Sequence, residues 1–152
     1  MLAPMGSVPV VQMESRPQRE LIGLVVEAPF AELATEVPAA WRRLAETSVP
    51  AETVWSELSI DLGNGRYREV LGLLDPAPEL VIDAEWERVP VPAGDWLVAE
   101  HSGAETAIAE TFGLVLEHAA ARGLEPTGVK LDVGYRLDGA PARHELAVAV
   151  RT

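Results

Sequence analysis

Trp96-Leu97-Val98-Ala99-Glu100-His101-Ser102-Gly103-Ala104-Glu105 is the stretch on which the fold turns. Its first half is apolar and strand-like. Its second half places a serine three residues ahead of a glutamate, the spacing of a capping box that opens a helix. The same join occurs upstream in Leu24-Val25-Val26-Glu27-Ala28-Pro29-Phe30-Ala31-Glu32. At an offset of 73 residues Leu24 falls on Leu97, Val25 on Val98, Glu27 on Glu100 and Glu32 on Glu105. A repeat changes the architecture a chain can adopt, so it is settled first. Here it predicts one domain over 1–152 built from two similar halves, about 8–75 and 80–152. A later echo, Glu69-Val70 before Leu71 against Glu145-Leu146 before Ala147, extends the match.

The other elements follow from periodicity. Met1 to Ser7 read as a frayed end. Val8 to Met13 and Glu20 to Glu27 are extended, joined through Pro17 either as one long strand with a bulge or as a hairpin. From Phe30 to Thr47 the residues Leu33, Val37, Trp41 and Leu44 share one helical face, with Pro38 kinking the helix or marking its first turn. Val54 to Leu62 alternates, which puts Trp55 with Glu57, Ser59 and Asp61 on the polar side. Gly63-Asn64-Gly65 closes a hairpin to Tyr67–Leu74; it lacks the spacing and following helix of a phosphate loop. Leu80 to Val91 is an extended segment holding Trp86. Ile108, Phe112, Val115, Leu116 and Ala119 form the stripe of a second helix, capped by Gly123. Val129 to Leu137 and Glu145 to Val150 are the closing strands. Each half is strand, helix, strand, strand. The fold class is therefore α+β, a curved and largely antiparallel sheet with two long helices.

Composition narrows the function. A chain of 152 residues buries a real core. No apolar run approaches the roughly 20 residues that span a bilayer, and the N-terminus lacks a signal pattern, so a soluble, cytoplasmic protein is expected. The absence of cysteine removes disulfides, thiol nucleophiles and thiolate metal sites. A formal charge of −12 repels phosphate backbones and attracts cations, which argues against direct nucleic-acid binding. Abundant Ala, Pro, Gly and Arg with a single lysine points to a high-GC bacterial genome.

Individual side chains divide into core and candidate site. Trp41 and Phe112 lie on helix stripes and read as core. Trp55, Trp86 and Trp96 stand where they can wall a pocket or cover an edge, and Tyr67 sits at a hairpin exit where it can line a mouth. Glu27 and Glu100 precede the two helices; the helix dipole explains them, and their symmetry allows both to face a cleft. His101 beside Ser102 is no nucleophile–base pair, because neighbours on a strand point apart. The three histidines form no recognisable metal site, and no cofactor is expected.

Val37-Pro38-Ala39-Ala40-Trp41, the run Val89-Pro90-Val91-Pro92-Ala93-Gly94-Asp95-Trp96 leading into Glu100-His101-Ser102-Gly103, and the closing His144-Glu145-Leu146-Ala147-Val148 together resemble the GyrI-like small-molecule-binding family. That family includes the effector-binding halves of MerR- and AraC-type multidrug-responsive regulators. The resemblance spans roughly Val10 to Val150. It implies a central cleft between the halves for aromatic, often cationic molecules, with aromatic walls and a carboxylate floor. It carries the closing-strand glutamate to Glu145 and the tyrosine of the preceding strand to Tyr135. For Glu145 an edge salt bridge to Arg143 or Arg136 is the alternative. The family often ends in Glu-aliphatic-Tyr-aliphatic-Pro, whereas this chain has Ala147 and Ala149, which leaves extra room beside the last strand.

The expected function is stand-alone capture of an amphipathic aromatic or cationic compound for sensing, sequestration or resistance, by Glu145, Tyr135, Trp96, Trp86, Trp55, Tyr67 and Glu100. Two alternatives are implied by the resemblance. One is hydrolysis of an electrophilic, cyclopropane-bearing genotoxic compound, with Glu145 as catalytic base. The other is a protein partner such as a DNA topoisomerase.

Overall fold

The computed structural model describes residues 9–80, 83–140 and 143–152. The expected frayed end, Val8 of the first strand, and residues 81–82 of the segment before Pro90 lie outside the described residues. In chain order the elements are β1 (Gln12–Arg16), β2 (Arg19–Pro29), α1 (Phe30–Ala45), β3 (Val54–Gly63), β4 (Arg66–Leu74), β5 (Glu87–Val91), β6 (Gly94–His101), α2 (Ile108–Ala121), β7 (Glu125–Arg136) and β8 (His144–Arg151), with a 3₁₀ turn at Glu105–Ala107. The strands form one antiparallel sheet in the order β1-β6-β8-β7-β3-β4-β2-β5. The α+β class, the antiparallel sheet and the two helices agree with the reading of the sequence.

Connectivity forces the curvature. β1 is one edge of the sheet and β2 is next to the other, yet only Pro17 and Gln18 separate them. Three Cα steps reach about 11 Å at most. Six interstrand spacings in a flat sheet cover about 29 Å. The sheet therefore curls until its two ends approach, and the long strand broken at Pro17 passes from one to the other. The inner face of the curl holds a core that includes Leu21, Leu58, Val91, Trp96, Val98 and Leu131. On the outer face α1 packs Ala40 and Leu44 over Leu24, Leu71 and Leu73, and α2 packs Val115 and Ala119 over Leu97, Ala99 and Val148.

The repeat is visible in these layers. Leu24 and Leu97 both lie under a helix, while Val25 and Val98 both face inward. Leu24 pairs with Leu71 on β4, and Leu97 pairs with Val148 on β8. The spacing of 73 thus grows to 77 by the last strand, because the second half carries four more residues before β8 closes. The echo of Glu69 with Glu145 is therefore one residue out of register. In a strand a one-residue slip reverses every side chain: Glu69 faces outward with Leu71, and Glu145 faces inward with Ala147.

Three local expectations are corrected. Ser102 makes no helix cap. His101 organises that corner instead, through Nε2 with the Ala104 carbonyl at 2.9 Å and Nδ1 with Thr111 Oγ1 at 2.8 Å. The regular helix starts only at Ile108. Pro38 does not open the first helix, which begins at Phe30 and keeps Pro38 inside on an exposed position. The room beside Ala147 and Ala149 is filled from within: Trp96, 1% exposed, is the ladder partner of Ala149 and occupies that side of the core.

Candidate functional site

β7 and β3 pair at the centre of the sheet, where the two halves meet. α1 lies over β2 and β4, and α2 over β6, β8 and part of β7. Between the helices the outer face of β3 and β7 forms the floor of a cleft of about 410 Å³, a size usual for small-molecule sites. Glu57, Ser59 and Glu69 contribute from the first half, and Lys130, Asp132 and Tyr135 from the second. Ile108, Phe112 and Leu116 of α2 make an apolar wall, with Glu105 at its end. From α1, the Trp41 ring stands 4.7 Å from that of Tyr135.

A bulge makes this set possible. Trp55 pairs with Tyr135 and Ser56 with Val133, so Gly134 is the extra residue on β7. Simple alternation puts Asp132 and Tyr135 on opposite faces. The inserted residue returns Tyr135 to the face of Asp132. Gly134 has φ +149°, and a Cβ there would meet the Arg143 carbonyl oxygen at 2.3 Å. Only glycine fits that crossing.

The floor is acidic and poorly solvated. Burial pushes the Glu57 carboxyl up to about 8, the charges of Glu69 and Asp132 add to the rise, and the Trp41 indole offsets it only in part. Burial raises Glu69 to about 7, against the stabilising effects of the Ser59 hydroxyl and Lys130. Ser59 Oγ donates to Glu69 Oε1 at 3.0 Å. Asp132 is also raised by burial, although His144 Nδ1 bonds its Oδ1 at 2.6 Å. Burial and the nearby Glu57 and Asp132 charges hold the Tyr135 phenol above its ordinary range. Two carboxylate oxygens, Glu69 Oε2 and Asp132 Oδ2, are buried without a hydrogen-bond partner among the described residues. Unsatisfied buried oxygens are costly and uncommon. Larger grooves border Trp86 (about 860 Å³) and Glu14 (about 910 Å³). These buried, unpartnered carboxylates converge only on the central cleft.

No protein-family model and no curated protein matches the sequence. Solved structures do match. An integron cassette protein from the mobile metagenome of Vibrio cholerae superposes with a TM-score of 0.71 at 15% identity, covering 93% of this chain and 95% of that one. SAV2435, solved bound to tetraphenylphosphonium, gives 0.67 at 13% identity, covering 93% and 94%. The C-terminal domain of EcmrR gives 0.63 at 11% identity, covering 96% and 99%. The chain shares their fold. At these identities the likeness concerns the fold alone.

Of the residues singled out in the sequence, Tyr135 lines the cleft. Trp55 and Trp86 meet edge to face at 6.1 Å and pack in the core under α1, on the same side of the sheet. Tyr67 packs on Phe30 at 5.9 Å, near the hairpin end of β4. Trp96, Glu100 and Glu145 lie on the opposite face. Glu145 is the ladder partner of Glu100, and it pairs neither with Arg143 nor with Arg136 but with Arg16, at 2.8 Å. Glu57, Glu69, Asp132, Lys130, Trp41 and Phe112 were absent from the candidate set. The signal for Glu57 was present: the alternation Trp55, Glu57, Ser59 marks a polar strand face at the middle of a sheet that two helices flank.

Proposed function

We propose that the chain binds a small aromatic cation in the central cleft, between Trp41 and Tyr135 on one side and Phe112 on the other. The observation that carries this reading is the pair of buried, unpartnered oxygens, Glu69 Oε2 and Asp132 Oδ2, on a floor that also holds Glu57. A carboxylate in such surroundings is unfavourable when the cleft is empty, and a cation restores its charged form. Aromatic faces add about 0.5–2 kcal/mol of cation–π attraction. The tetraphenylphosphonium held by a protein of the same fold supports this chemistry.

Tetraphenylphosphonium titrated against tryptophan fluorescence tests it. Saturable quenching is expected for the wild type, and Glu57→Gln should weaken it about tenfold. No saturable response, or equal affinity in the two proteins, would refute the assignment.

A second reading has one observation behind it. A carboxyl held near 8, as Glu57 is, suits proton transfer at neutral pH. Hydrolysis of a bound electrophile would appear as a product heavier by one water, absent with Glu57→Gln. Release of every ligand unchanged leaves binding alone.

A further inference from the structure

The repeat relates the two strands that make the cleft floor, and it relates opposite charges. Leu71 on β4 pairs with Glu57, and Val148, its counterpart on β8, pairs with Lys130. Glu57 and Lys130 are thus the same position in the two halves, 73 residues apart like Leu24 and Leu97. Lys130 is the only lysine in the chain. Its ammonium lies 5.4 Å from the centre of the Phe112 ring and makes no ion pair among the described residues. A lone cation that serves solubility belongs on the exposed surface. This one is half-buried on the floor of the cleft that the buried carboxylates Glu69 and Asp132 line.

We infer that the cleft is built for a zwitterionic aromatic ligand, whose cation meets Glu57, Glu69 and Asp132 and whose anion meets Lys130. This deepens the cation reading and rests on it. The spacing follows from the ladder. Glu57 stands opposite Asp132, and Lys130 stands opposite Ser59, so Glu57 and Lys130 are diagonal neighbours on one face. Diagonal neighbours are about 7–8 Å apart. That distance suits a carboxylate and an iminium or ammonium on one aromatic framework. A ligand with cationic charge alone leaves Lys130 unpaired and repelled. A ligand with anionic charge alone meets four carboxylates, Glu57, Glu69, Asp132 and Glu105. The symmetry-related position is thus polarised, an acid in the first half and a base in the second.

Rhodamine B, a xanthene cation bearing a free benzoate, and its ethyl ester, the same cation without the anion, separate these cases by fluorescence anisotropy. The wild type should bind rhodamine B at least fivefold tighter than the ester. Lys130→Met should abolish that preference and leave the ester bound as well or better; Lys130→Arg should retain it. Should Lys130→Met fail to fold, Lys130→Gln carries the same test. A ratio of the two affinities that is unchanged on loss of the ammonium overturns the inference and makes Lys130 a mere counter-charge for Glu69. If tetraphenylphosphonium binds and the ratio does not move, only the zwitterion inference falls. If the wild type binds none of the three compounds, the cation reading falls with it.

Discussion

Glu57 and Asp132 stand directly opposite each other across the β3–β7 ladder, two carboxylates on the same face of the join between the halves. Like charges opposed in a ladder destabilise it, and burial removes the water that would screen them. The proton that relieves this conflict makes stability fall with pH. In the unfolded chain Glu57 loses its proton near 4.5, and in the native state it keeps it to about 8. Between these values the native state holds more protons than the unfolded one, so stability declines by up to about 1.4 kcal/mol per pH unit for each proton so held. Glu69 acts in the same direction up to about 7. Glu57→Gln should therefore match the wild type in unfolding free energy, measured by denaturant, at pH 5 and exceed it at pH 8, by roughly 2 kcal/mol. A wild type that gains stability over this range contradicts the account.

Glu145 is a test of which sheet face binds. It pairs with Arg16, which also holds Glu14 at 3.0 Å, and the Glu145 side chain is 43% exposed. Partly exposed pairs of this kind are worth about 0–1 kcal/mol. Glu145→Gln should change the melting temperature little and leave tetraphenylphosphonium affinity within twofold of wild type. A tenfold loss of affinity, measured beside Glu57→Gln, would move the site to the inner face.

Trp41 and Trp96 should separate in the same way. Trp96 is enclosed in the core of the curl, and truncation to alanine should cost about 3–5 kcal/mol by chemical denaturation. Trp41 is only half-buried and stands against Tyr135, which lines the cleft. Trp41→Ala should remove most of the fluorescence response to tetraphenylphosphonium and lower affinity about tenfold, with a smaller loss of stability than Trp96→Ala. The reverse ranking of the two variants in stability excludes these placements.

The repeat made the fold legible, because Leu24 and Leu97 keep both their spacing and their burial. The site was less legible for two physical reasons. Strand periodicity determines which residues share a face but not which face a helix covers, so Trp55, Glu57 and Ser59 read as a solvated side. Registry was also lost late in the chain. The bulge at Gly134 and the four added residues before β8 shift the second half, so the repeat alone does not align Glu69 with its true counterpart on β8. Asp132 and Tyr135, three apart on a strand, could be joined only by knowing of the bulge. The tryptophans differ in how far size misleads: Trp96 reads as a candidate wall and is core, whereas Trp41 reads as core and does pack against the cluster under α1, its ring against Tyr135.

The acidity of the floor should appear in binding as well as in stability. The groups facing Glu57 across the cleft are Glu69 on β4, Lys130, Asp132 and Tyr135 on β7, and Glu105 ahead of α2. Of these, Glu69 and Glu57 change charge at about 7 and about 8. A cation favours the charged form of each, so its binding at neutral pH expels a proton that the empty cleft retains. Tetraphenylphosphonium affinity should therefore rise from pH 6 to pH 9, by at most about tenfold per unit for each proton expelled. Calorimetry at pH 7 in buffers of different ionisation enthalpy should show net proton release, fading by pH 9.5. Glu57→Gln should remove the upper part of the rise and keep the part due to Glu69. Affinity that is flat across this range, with no proton released, means that the cation does not sit over these carboxylates.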